Sequence, residues 1–120
     1  MGGSSSKAEA RSVIKQSPQE FVEASVVLDK VVVFIKPSCP YCARVKKLFG
    51  DLGARIFVVD IDKRPDMAGI QEYLQEKTGA RTVPRVFIDG ECVGGFDETL
   101  KMHELGKLQP KLVQIGIVRQ

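Results

Sequence analysis

The longest unbroken apolar stretch, Val31-Val32-Val33-Phe34-Ile35, is β-branched and aromatic and shows no period-two alternation. Such a run suits a strand buried on both faces of a parallel sheet. Ile56 to Ile61 predicts a second buried strand, and between the two the apolar pattern changes period. Cys42, Val45, Phe49 and Leu52 recur at helical spacing, with Arg44, Lys46 and Lys47 on the wet face, Pro40 in the first turn and Gly53 as a stop. Strand, helix, strand in this order predicts a parallel crossover. Upstream, Ser17-Pro18-Gln19-Glu20 has the form of a capping box opening a helix over 18–28. Downstream, Met67, Ile70 and Leu74 predict a helix over 66–77, with Gly79 beyond it. Val86-Phe87-Ile88, the turn pair Asp89-Gly90, and Glu91-Cys92-Val93 predict a hairpin, because Asp-Gly tolerates the left-handed conformations that tight hairpins require. Helices over 97–105 and 107–115 close the chain. The layout is α/β, a small sheet with helices on its faces.

Composition narrows the classes of function. With 120 residues, 43% hydrophobic and 28% charged, the chain matches one ordinary globular domain. A net charge of +3 from 18 basic and 15 acidic residues is too mild and too mixed for a nucleic-acid surface, and no nucleic-acid partner is expected. The longest apolar run falls far short of the roughly 20 residues of a membrane-spanning helix. Residues 1–15, rich in Gly, Ser and Ala, are expected to be a flexible tail, leaving 16–120 as the domain. The tail is neither Arg-rich like a mitochondrial presequence nor apolar like a secretory signal, which favours the cytoplasm over a mitochondrial or membrane-peripheral pool. Its first residues, Met1-Gly2-Gly3-Ser4-Ser5-Ser6, fit the short pattern for myristoylation of Gly2. A single myristoyl chain would give only weak membrane association, and a flexible tail has the same composition.

Three cysteines are too few for a secreted disulfide framework, and two of them, Cys39 and Cys42, stand in a C-x-x-C spacing. This points to a reducing compartment and to redox or metal chemistry. Cys39 falls where the first strand gives way to the second helix, beside unsatisfied backbone amides and the positive end of the helix dipole. Lys36 adds a nearby cation. The placement favours a thiolate and makes Cys39 the expected attacking sulfur. Cys42, one turn further in, is close enough to pair with Cys39 yet shielded by the helix, which fits a resolving role. The competing reading, a structural zinc site completed by Cys92 and His103, lacks the second closely spaced ligand pair such sites usually draw on. No metal is expected, and Cys92 reads as an inert, largely packed thiol.

Val-Phe-Ile-Lys-Pro-Ser-Cys-Pro-Tyr-Cys at 33–42, Thr82-Val83-Pro84 within the passage 78–88, and Gly94-Gly95 before a helix closely resemble the dithiol glutaredoxins, or thioltransferases. The motifs match in order and spacing, and the similarity runs over roughly residues 18–118. The resemblance implies a thioredoxin-like fold, a small mixed four-stranded sheet flanked by helices, with Pro84 cis and facing the cysteines. It implies glutathione as reductant and co-substrate, and glutathionylated or disulfide-containing proteins as partners of a monomer. Carried over by position, Lys36 and Gln71 would meet the glycine carboxylate of glutathione, and Val83, flanked by Thr82 and Pro84, would pair with its cysteinyl backbone. Tyr41 would wall the sulfur. Gly95 would let the backbone come close, Asp97 would receive the γ-glutamyl amine, and the helix start at Phe96 and Asp97 would offer amides to the second carboxylate.

Two other functions compete. A thioredoxin-type disulfide reductase would normally carry Trp-Cys-Gly-Pro-Cys, whereas this chain has no Trp and places Pro-Tyr between its cysteines. An iron–sulfur carrier, a role some glutaredoxin relatives fill, would normally have Ser for the second cysteine, or Ser or Gly where Pro40 stands.

Overall fold

The computed structural model describes residues 16–119. The expected tail and Gly2 lie outside the described residues. Helix α1 (Pro18–Val26) opens on the expected capping box: the Ser17 hydroxyl accepts from the Glu20 amide at 3.1 Å, and the Glu20 carboxylate accepts from the Ser17 amide at 2.9 Å. There follow β1 (Val31–Ile35), α2 (Pro40–Asp51), β2 (Phe57–Asp60), α3 (Met67–Thr78), β3 (Arg85–Ile88), β4 (Glu91–Gly94), α4 (Phe96–Glu104) and α5 (Leu108–Gln114).

The four strands form one mixed sheet in the order β2-β1-β3-β4. Strand β1 pairs parallel with β2, Val33 opposite Val58, and antiparallel with β3, Val33 opposite Val86. This central position explains the unalternating run. Val31, Val33 and Ile35 face Cys42, Val45, Phe49, Leu108 and Leu112 on one side, while Val32 and Phe34 face Val22, Ile70 and Leu74 on the other. Every residue of β1 is buried. The later elements are bounded as the turn chemistry predicts: Asp89 and Gly90 take φ 53° and 84° in the hairpin, and Gly79 takes φ 89° as the left-handed cap of α3.

Two expectations are corrected. Strand β2 is not buried on both faces: Phe57 and Val58 are 39% and 37% exposed, and only Val59 lies in the core. As the edge of the sheet, β2 has no further strand beside it among the described residues, and an apolar run alone does not distinguish edge from centre. Helix α1 also ends at Val26 rather than at residue 28, so Val27 and Leu28 lie exposed on the connection into β1. Among the described residues no helix is long and apolar enough to cross a membrane.

Candidate active site

The sheet delivers three segments to one end of the molecule: the turn after β1 with the start of α2, the loop entering β3, and the turn from β4 into α4. Cys39 is the N-cap of α2, extended at φ −88° and ψ 115°, with Pro40 fixing the first turn. Its amide donates to the Lys36 carbonyl at 3.1 Å, closing the turn. Its Sγ accepts from the Cys42 amide at 3.3 Å, so the sulfur occupies the place of a capping oxygen and draws on a free amide of the helix start. Across the gap, Sγ lies 3.6 Å from the Val83 carbonyl, to which the thiol donates.

Cys42 is the opposite case. It is 1% exposed, packed in the core behind Cys39. Burial, then the hydrogen bond with Cys39, push its thiol up to about 12, so it is protonated at neutral pH. Both thiols are free, and the half-buried Cys39 is the one that opens to solvent. The pair therefore divides into an accessible sulfur at a helix start and a hidden one behind it.

Beside Cys39 a cavity of about 410 Å³ is bounded by Tyr41, by Thr82, Val83, Pro84 and Arg85, and by the run Gly95 to Glu98. The Val83–Pro84 peptide bond is cis, as the resemblance implied. Tyr41 is half exposed, its ring 6.0 Å from that of Phe96 and 5.1 Å below the Arg44 guanidinium. A side chain at Gly95 would place its Cβ 2.9 Å from Arg85 Nη2 and 3.3 Å from the Pro84 carbonyl, so the close approach of α4 to the Pro84 loop leaves no room for one unless Arg85 shifts.

Of the predicted ligand-binding residues, the structure gathers Tyr41, Thr82, Val83, Pro84, Gly95, Phe96 and Asp97 around this cavity. Lys36 and Gln71 do not line it. Lys36 sits at the end of β1, and the Gln71 amide donates to the Arg81 carbonyl at 3.2 Å, tying α3 to the loop before β3. Two residues of the cavity wall escaped the sequence reading. Arg85 is 93% buried, by its 7% exposure, at the start of an otherwise apolar strand. Glu98 accepts from the Gly95 amide at 2.6 Å, capping α4 from within. A charged residue in Pro-Arg-Val-Phe-Ile and a Glu three positions after Gly95 were the available signals.

A larger cavity of about 630 Å³ between α4 and α5, bounded by His103, Pro110 and Val113 among others, holds no thiol. The structure does not bring Cys92 and His103 together with Cys39 and Cys42, and no group of metal-ligating side chains converges among the described residues.

The glutaredoxin family model matches residues 31–93. Glutaredoxin-1 of Oryctolagus cuniculus is 46% identical over 105 residues, covering 85% of this chain and 99% of the relative. Glutaredoxin-C2 of Arabidopsis thaliana is 49% identical over 90 residues, covering 75% and 81%. Among solved structures, a buckwheat glutaredoxin–glutathione complex superposes with a TM-score of 0.81 at 42% identity, covering 84% of this chain and 92% of that one.

Proposed function

The chain belongs to the glutaredoxin family and is a glutathione-dependent thiol-disulfide oxidoreductase, and from that premise we propose which of its residues do the work. Cys39 is the nucleophile. Its thiolate attacks the glutathione sulfur of a protein–glutathione mixed disulfide; the new Cys39–glutathione bond forms as the old disulfide breaks, and the protein sulfur leaves as a thiolate that takes a proton from water. A second glutathione thiolate attacks the glutathione sulfur on Cys39, forming oxidised glutathione and returning the Cys39 thiolate. For a protein disulfide, Cys39 attacks first and Cys42 then attacks the Cys39 sulfur, releasing the second protein thiol and leaving a Cys39–Cys42 disulfide for two glutathiones to reduce.

The observation that carries this division is the placement of one sulfur at an amide-rich helix start and the other in the core. Part of what holds the Cys42 proton is the neighbouring Cys39 thiolate. Once Cys39 is engaged in a neutral disulfide that repulsion is gone, which eases release of the proton, while burial, the larger cause, still holds it.

Glutathione would lie with its cysteinyl backbone against Val83, held between Thr82 and Pro84, its sulfur beside Tyr41, and its glycine carboxylate toward Lys36 and Gln71. The γ-glutamyl end would reach Gly95, Phe96 and Asp97. The partners would be glutathionylated and disulfide-containing proteins of the cytoplasm, met by a monomer.

The test is turnover of a small glutathione mixed disulfide, with oxidised glutathione coupled to NADPH consumption through glutathione reductase. Cys39→Ser is expected to abolish turnover. Cys42→Ser is expected to keep it and to lose only the reduction of protein disulfides. Loss of deglutathionylation in Cys42→Ser would overturn the division of labour.

A further inference from the structure

We propose that Arg85 is a specificity-determining residue that reads the α-carboxylate at the γ-glutamyl end of glutathione; the inference rests on the binding mode given above and adds to it a cation that no helix amide can replace. Arg85 is 7% exposed, yet among the described residues its guanidinium has no carboxylate within ion-pairing distance. Its side chain makes one hydrogen bond there, from Nε to the Pro84 carbonyl at 3.2 Å. That bond leaves the terminal nitrogens uncommitted, and Arg85 forms part of the cavity wall. Nη2 lies 2.9 Å from the point where a Cβ on Gly95 would stand, directly under the approach to α4.

The side chain is nearly enclosed, and its terminal nitrogens have no protein partner and are left to solvent, so they are open to an anionic one. Here the partner is expected from the ligand. The same wall carries the first amides of α4, a nine-residue helix whose N-terminus favours negative charge. It also carries the exposed Asp97 and Glu98, the latter with one carboxylate oxygen already on the Gly95 amide. One cation with free amides, next to two carboxylates, complements an α-amino acid zwitterion: carboxylate to Arg85 and the helix start, ammonium to the acids. The γ-glutamyl end of glutathione is such a group, whereas a plain peptide amine or a free thiol is not. A planar guanidinium can bind a carboxylate in two-point fashion, which a lysine cannot.

The experiment compares two mixed disulfides of one fluorescence-quenched peptide, the first with glutathione and the second with γ-aminobutyryl-cysteinylglycine, which lacks only that carboxylate. Glutathione is the common reductant, and kcat/KM for the disulfide reports the first half-reaction. Wild type is expected to prefer the glutathione substrate, and Arg85→Gln to reduce that preference by about tenfold or more, the scale of a charge-assisted hydrogen bond. Arg85→Lys is expected to retain part of it. The preference is a ratio measured on one preparation, so a poorly folded variant lowers both rates and leaves the ratio intact. An Arg85→Gln protein with an unchanged preference would overturn the inference while leaving the glutathione reading in place. Failure of wild type to turn over either substrate would overturn both.

Discussion

The two faces of this molecule treat their polar groups in opposite ways. On the face built by α1 and α3, polar side chains satisfy one another. Glu23 on α1 accepts from the Tyr73 hydroxyl and, at 2.8 Å, from Lys77, both on α3. Arg64 grips Asp66 through two nitrogens and lies 3.7 Å over the Phe21 ring, and Ser17 and Glu20 close their capping box. At the end of the sheet where Cys39 stands, by contrast, groups of equal strength are left open. The Cys39 sulfur faces one amide, Arg85 spends one nitrogen on a neighbouring carbonyl, and Asp97 is exposed beside them. The contrast teaches where binding free energy is held in reserve. A polar group already paired adds to stability, and one held in place without a partner adds to recognition. Substitutions in the two regions should therefore separate activity from stability.

The largest separation is expected at Gly95. Its backbone, at φ −100° and ψ −153°, is open to any residue, so Gly95→Ala carries no conformational penalty of its own. What it adds is a methyl 2.9 Å from Arg85 Nη2 and 3.3 Å from the Pro84 carbonyl. The guanidinium must shift and the cavity narrow. We expect kcat/KM for a glutathione mixed disulfide to fall by about tenfold or more while the thermal midpoint moves by only a few degrees at most. A large loss of stability with unchanged kinetics would place Gly95 with the structural face.

The opposite signature is expected at Ser17. Ser17→Ala removes the hydroxyl that accepts from the Glu20 amide and leaves that amide to water. The expected cost is about 1 kcal/mol in chemical denaturation, with deglutathionylation unchanged. A fall in kcat/KM from this site, on the α1–α3 face, would break the separation of the two faces.

The same contrast explains how much could be read from the chain itself. The strand at 31–35, the helix that follows Pro40 and the hairpin at Asp89-Gly90 were legible because each rests on local signals: an unbroken apolar run, a helical period, a turn pair. Cys39 and Cys42 were legible for the same reason, since the start of a helix fixes where both sulfurs sit. Arg85 was not, because its environment is made by Gly95, on the far side of the β3–β4 hairpin, and a strand pattern says nothing of what approaches from the end. Glu98 was missed because its cap is completed by a glycine rather than by a Ser or Thr. The exposure of Phe57 and Val58 was hidden because edge and central strands can share one apolar composition. Gln71 enters by resemblance alone, and its bond to the Arg81 carbonyl, ten positions away in an irregular loop, is one that no helical period announces.

The smallest effect separates the faces through pH. The hydrogen bond from Lys77, then that from Tyr73, lower the Glu23 carboxyl below its ordinary value of 4.5. A carboxyl lowered in the folded chain stabilises it above the unfolded value and loses that contribution as pH falls through the folded one. Glu23→Gln should therefore be less stable than wild type near about pH 6, and the gap should close as pH falls below 4.5. Thermal midpoints of the two proteins across this range measure it. The pair is partly exposed, with side chains 26% and 44% open for Lys77 and Glu23, so screening keeps the gap below that expected for Ser17→Ala. Deglutathionylation at neutral pH should be the same in both proteins, because no part of this triad reaches the cavity beside Cys39. A gap that stayed constant from neutral pH into acid would mean that Glu23 acts by packing rather than by charge, and that the α1–α3 face is held by shape.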